Sequence, residues 1–168
     1  NSITDFNNLL DLFLKFILDI VGADIGAIQI KEGRAFHTKV HSNFPDKIRR
    51  SYHFLSGETF MEYVARVKDY CFIDDYQSNS KVSQDVKVRL DWYVCIPIIF
   101  KDDLIGVVNI ARKYDGHHVK ITQDDIQTLL TVTSLIGTSI NNAWLYQETL
   151  KKQHLERELQ VAYDIQTK

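Results

Sequence analysis

Cysteine is scarce, with only Cys71 and Cys95 in 168 residues. Two thiols do not make a disulfide framework, so a reduced, cytoplasmic protein is expected. Proline is scarcer for its length: two occur, and no low-complexity tract or repeat is present. No charge of either sign dominates, because 20 basic residues face 22 acidic ones. That balance gives no electrostatic footprint for nucleic acid. Long apolar runs are missing too. The richest, "LLDLFLKFILDIV" (9–21), is broken by Asp11, Lys15 and Asp19. It falls short of the ~18 residues a membrane span needs. No signal peptide is visible, and a chain that begins at Asn1 is expected to be a fragment. There is no Gly-rich phosphate loop and no Ser/His/Asp constellation.

What is present suits one packed domain with an extension. The hydrophobic fraction is 45%, enough for a core and too high for disorder. Helical spacing predicts a first helix over 3–21, with Phe6, Leu9, Leu10, Phe13, Phe16, Ile17 and Ile20 on its packing face. Leu14, Leu18 and Val21 form a second stripe, expected to meet a partner helix. Two alternating segments, 24–30 and 34–42, read as a hairpin turning at Glu32-Gly33, with Ile28, Ile30, Phe36, Thr38 and Val40 on one parity. A helical stretch is expected from Pro45. Another helix is expected over 57–68, with Phe60, Val64 and Val67 on one side. Strands follow at 70–73, 92–100 and 104–112, the last two joined by "KDD".

The final helix starts at Thr122, where Thr122 and Asp125 make a capping-box-like pair. Ile126, Leu129, Leu130, Thr133, Ile136, Ile140 and Trp144 form its packing face. Continued to Lys168 it would be about 70 Å long at 1.5 Å per residue. From Leu155 the apolar positions Leu155, Leu159, Ala162 and Gln166 step by four, three and four, as in a coiled coil. The expected class is α+β, an antiparallel sheet flanked by helices, with the long terminal helices packed together. The surplus stripe and this tail predict a parallel homodimer through Leu14, Leu18, Val21, Leu155, Leu159 and Ala162.

The element order resembles a GAF domain over about residues 5–147. The resemblance is carried by "GETFMEYVARVKDYCFIDDY", "YVCIPIIFKDDLIGVVNIARK" and "ITQDDIQTLLTVTSLIGTSINNAWLY" in that order. It divides the chain into a sensor domain, 1–147, and a helical linker, 148–168. The tail "LERELQVAYDIQTK" is similar to the helix that enters SpoIIE/RsbU-type serine phosphatases, through Glu158, Leu159, Ala162, Ile165 and Gln166. That similarity implies a phosphatase domain in cis, whose activity the fragment itself would lack. A histidine kinase or cyclase is the alternative effector. The GAF resemblance also implies a pocket for an unidentified small molecule, with contacts expected from Phe54, Phe72, Asp75, Tyr76, Tyr93 and Asn109.

Other chemistries the family supports find few of their residues here. "DYCF" (69–72) has the form of a bilin-attaching thiol, but 74–94 contains neither Cys nor His. A small apolar residue in a buried strand is the plainer reading of Cys71. Against the Asn-Lys, Phe and Asp-Glu pattern of nucleotide-binding GAF domains, this chain has Arg112-Lys113, Ile121 and Asp125-Ile126. Only Lys113 and Asp125 match. Cys71 and Cys95 are the sole candidates for a methionine sulfoxide reductase. His37 and His41 stand about 13 Å apart along a strand, too far to share a metal ion. His117-His118 reads as a pair of solvated turn residues. Of the acidic pairs, Asp102-Asp103 suits a turn, Asp124-Asp125 a helix start, and Asp74-Asp75 the mouth of the pocket. "KIRR" (47–50) reads as a solvated helix face. No catalytic residue, metal or cofactor is expected.

Overall fold

A computed structural model describes residues 2–44, 52–84 and 88–167. The helical stretch expected from Pro45 and the "KIRR" segment lie outside the described residues. The elements run α1 (Ser2–Val21), β1 (Ile25–Glu32), β2 (Ala35–Ser42), α2 (Phe60–Val67), β3 (Cys71–Ile73), β4 (Leu90–Phe100), β5 (Asp103–Lys113) and α3 (Gln123–Thr167). The strands form one antiparallel sheet in the order β2-β1-β5-β4-β3. The chain divides into two compact units, Asn1–Gly137 and Thr138–Lys168.

Local chemistry sets the boundaries. β1 lies inside the sheet, between β2 and β5, and is buried on both faces from Ile25 to Ile30, so it reads as an apolar run rather than an alternation. The β1–β2 turn carries Gly33 at φ +64°, and the β4–β5 turn carries Lys101 and Asp102 at +48° and +68°. Two positive φ values in succession make a type I′ turn, whose twist matches the strands it joins. α2 begins three residues later than the sequence suggested. Thr59 caps it, taking a hydrogen bond from the Glu62 amide while the Glu62 carboxylate takes one from the Thr59 amide. Lys68, in the left-handed conformation, ends it. Thr122 and Asp125 make the same reciprocal pair at the start of α3.

The two sheet faces differ. Cross-strand partners share a face, so Gly26, Ile110, Val94 and Phe72 lie on one side and Ala27, Asn109, Cys95 and Cys71 on the other. The first side receives α1: a Cβ at Gly26 would sit 2.7 Å from Leu14 Cδ1 and 3.0 Å from Leu18 Cδ2. It also receives the start of α3, where Gly137 approaches the Ile99 carbonyl and Ile98. The second side packs Phe60, Met61 and Val64 of α2 over Ile73, Tyr93, Val107 and Ala111.

This packing corrects the phase expected for α1. Leu14 is 1% exposed and Leu18 8%; they are core, not a surplus stripe. Val21 is half-buried. The exposed stripe is Leu9, Leu12, Phe16 and Ile20, of which Leu9, Phe16 and Ile20 were expected to pack inward. In α2, Met61 is buried in place of the expected Val67, which is exposed. In α3 the expected Ile126, Leu129, Thr133 and Ile136 are buried, Leu130 is half-buried and Trp144 is exposed.

Candidate functional site

Three strands contribute one polar side chain each to the face beneath α2. The Tyr93 hydroxyl on β4 donates to Asn109 Oδ1 on β5, and Asn109 Nδ2 donates to Gln29 Oε1 on β1. All three are buried, with Gln29 at 0% exposure. Gln29 Nε2, where this chain of bonds ends, has no partner among the described residues, and neither does the buried Tyr52 hydroxyl. The Tyr52 ring lies 5.8 Å from the ring of Tyr93, and Phe60 lies 4.8 Å from Tyr93 on another side. A buried donor without an acceptor costs about 1–3 kcal/mol, and this face holds two. None of the five side chains named here is an acid or a base of the ordinary charged kind. Burial pushes the Tyr52 phenol up to about 12 and the Tyr93 phenol well above its usual range, so both stay protonated at neutral pH.

The structure gathers some of the expected pocket residues and separates others. Tyr93 and Asn109 belong to this face. Tyr76 is buried beside it, edge-on to Phe60, but its hydroxyl already donates to the Ser83 carbonyl at 2.8 Å. Phe54 packs edge-on against the far side of Phe60. It also lines a separate open groove of about 440 Å³ with Leu55, Tyr63, Arg66 and Lys81. Phe72 is a correction: strand pairing puts it on the opposite face with Val94 and Ile110. Asp75 holds a left-handed turn, φ +44°, leading into a 3-10 turn at Tyr76–Ser78. Gln29 and Tyr52 were missed. Gln29 interrupts "IGAIQI", and a polar residue inside an apolar run was the available signal.

A second polar cluster pins the loop after β5. Asp91 on β4 is fully buried and accepts hydrogen bonds from Arg112 Nη1 at 2.8 Å and the Val119 amide at 2.9 Å. Its other oxygen meets His118 Nδ1 at 2.6 Å, while His118 Nε2 meets Asp74 at 3.2 Å. His118 is therefore a bridge between two carboxylates, while remaining exposed to solvent in the loop as expected. Its hydrogen bond to Asp91 raises its pKa above the ordinary value, aided by the charges of Asp91, Asp74 and Asp75. Arg112 also pairs with Asp115. Arg112 and Asp125, which occupy positions of the nucleotide pattern, thus serve the loop and the α3 cap.

Cys71 and Cys95 face each other across β3 and β4. Both are buried. Burial pushes the Cys71 thiol up to about 12 and the Cys95 thiol well above its usual range. Neither is a thiolate at neutral pH, so neither is an activated nucleophile. Among the described residues, no group of three or more His, Cys, Asp or Glu side chains is placed to hold a metal ion. No helix among them is long and apolar enough to cross a membrane.

The same architecture occurs in solved structures of distant sequence. The GAF domain of an Acinetobacter phosphoenolpyruvate-protein phosphotransferase superposes with a TM-score of 0.64 at 10% identity, covering 86% of this chain and 90% of that one. The blue-light absorbing form of the Thermosynechococcus elongatus PixJ GAF-domain gives 0.64 at 11% identity, covering 91% and 95%. The type II free methionine-R-sulfoxide reductase of Thermoplasma acidophilum gives 0.62 at 11% identity, covering 82% and 94%. No curated protein sequence is similar to the chain. The family model for the GAF domain matches residues 4–141. With the five-stranded sheet and its flanking helices, that match shows that the chain belongs to the GAF domain family.

Proposed function

We propose that this chain is a non-catalytic sensor module that takes an uncharged, planar small molecule beneath α2. The reading rests on one observation: the bonded series Tyr93–Asn109–Gln29 ends in an unpaired amide within an uncharged, aromatic face. A ligand carbonyl or ring nitrogen would accept from Gln29 Nε2, next to the aromatic rings of Tyr52, Phe60 and Tyr93. A cyclic nucleotide fits less well, since only Lys113 and Asp125 match the nucleotide-binding pattern, and Asp125 is engaged in the cap of α3. A sulfoxide reductase fits less well too, since both thiols are buried and protonated.

The test is a thermal-shift series with free uracil and adenine against cyclic AMP. The neutral bases should raise the melting temperature of the wild-type chain and leave Gln29→Leu unmoved. Saturable binding of cyclic AMP in preference to the bases would overturn the uncharged-ligand reading.

The output is proposed to pass through a parallel homodimer to an effector in cis. The interface uses the exposed Leu9, Leu12, Phe16 and Ile20 of α1, in place of Leu14 and Leu18, together with Leu155, Leu159 and Ala162 of the tail. A second copy suits this tail because its heptad spacing matches itself in parallel register. The effector proposed is a SpoIIE/RsbU-type serine phosphatase, on the strength of Glu158, Leu159, Ala162, Ile165 and Gln166 alone. None of the relatives named above is a phosphatase. The coding sequence after Lys168 tests this directly: a Leu-Leu-Pro followed by an acidic metal-binding pattern supports it, and a kinase or cyclase domain replaces it.

A further inference from the structure

On the other face of the sheet a cavity of about 150 Å³ lies between the edge of β4 and α3. Its walls are mostly apolar, formed by Tyr70, Ile96, Pro97, Ile99 and Leu130, with Asp69 and Ser134 as polar members. Thr133 lines it as well and is 2% exposed, and its hydroxyl has no partner among the described residues. Other threonines of α3 behave differently. Thr128, Thr131, Thr149 and Thr167 each donate to the carbonyl four residues earlier, at 2.9–3.0 Å. Thr133 forgoes that bond, leaving its hydroxyl unpaired. A buried hydroxyl left unpaired costs free energy that a bound polar group would recover.

Size and charge narrow the occupant. The volume is about that of a cavity that admits a single benzene-sized ring, although this one is open to solvent on the side of Asp69 and Ser134. The exposed carboxylate of Asp69 stands among the lining residues and disfavours an anion. We infer that this cavity is a second small-molecule site, separate from the face beneath α2, for an uncharged six-membered-ring compound bearing one hydroxyl. The ring fills the space between Ile96, Ile99 and Leu130, and its hydroxyl bonds to Thr133 Oγ1. Because Leu130 and Thr133 belong to α3 and Ile96 and Ile99 to β4, an occupant holds that helix turn against the sheet.

Phenol is the probe, with benzene and benzoate as controls, followed by amide chemical shifts of the whole chain. Phenol should shift the amides of Ile96, Ile99, Leu130 and Thr133 saturably, and benzoate should not. Thr133→Val keeps the shape and removes the hydroxyl. It should weaken phenol about fivefold, the worth of one hydrogen bond, and leave benzene within about twofold. Leu130→Phe, checked for folding by its melting curve, should fill the cavity and abolish both. Three results would overturn the site: no saturable shift with phenol, shifts centred beneath α2, or equal phenol affinity in wild type and Thr133→Val. The last would mean that Thr133 is served by water alone.

Discussion

α3 is one continuous helix, yet its apolar side chains up to Ile140 and those from Trp144 onward differ in fate. In Asn1–Gly137, Ile126, Leu129, Val132 and Ile136 of α3 are buried, at 0–7% exposure. In Thr138–Lys168, Leu145, Leu150, Leu155, Leu159, Val161 and Ile165 are 43–71% exposed. Helix propensity does not distinguish the two segments. Burial does, at about 1.5–3 kcal/mol for each large apolar side chain. The buried apolar residues of α3, Ile140 included, stabilise the fold, whereas the exposed ones from Leu145 onward are free to specify a partner. Substitutions should therefore act on stability in one and on association in the other.

The largest stability effect should come from Asp91→Ala. It leaves Arg112, 15% exposed, and His118 facing an emptied site. Removing one member of a buried ion pair costs about 3–5 kcal/mol, to be read from urea unfolding. Gly106→Ala should follow at about 1–3 kcal/mol, the usual cost of overpacking. A Cβ there would sit 2.1 Å from the Gln29 carbonyl oxygen, and the clash is with β1 backbone, which cannot swing aside as a side chain can.

A smaller effect is expected for His118→Gln, and it should depend on pH. Because its hydrogen bond to Asp91 raises the folded-state pKa, the protonated imidazole contributes stability fully below its unfolded pKa of about 6.5. That contribution is lost as pH rises through the folded value. The melting temperatures of wild type and variant should differ most near pH 5.5 and converge at higher pH. The smallest effect belongs to the tail. Leu155→Glu with Leu159→Glu should change the stability of the first unit by less than about 0.5 kcal/mol, yet weaken self-association in light scattering.

Sequence reading succeeds where one pattern has one solution. β4 and β5 are long apolar runs around a short polar turn, and their pairing follows. It failed on the phase of α1, where apolar residues surround nearly the whole helix and periodicity selects no face. The choice falls to Gly26, whose missing side chain admits Leu14 and Leu18. Phe72 was misplaced because a three-residue strand shows no alternation to read. The bridge from His118 to Asp91 spans 27 positions of sequence, and only the sheet brings the two together. Of the candidate site, Tyr93 and Asn109 were legible as polar groups inside apolar strands. Gln29 joins them only through the β1–β5 register, which sets Ala27 opposite Asn109.

Parallel self-association of the exposed tail is the claim on which the transmitter reading depends. Leu159→Cys tests it most directly, since Cys71 and Cys95 are buried and will not interfere. A disulfide requires Cα atoms within about 7 Å, which a parallel seam provides between identical positions. Mild oxidation followed by a non-reducing gel should convert most of Leu159→Cys to a covalent dimer. Arg157→Cys, on the outer side of the same heptad, should stay largely uncrosslinked. Absence of the Leu159→Cys dimer, or equal crosslinking at both positions, would contradict the parallel pair.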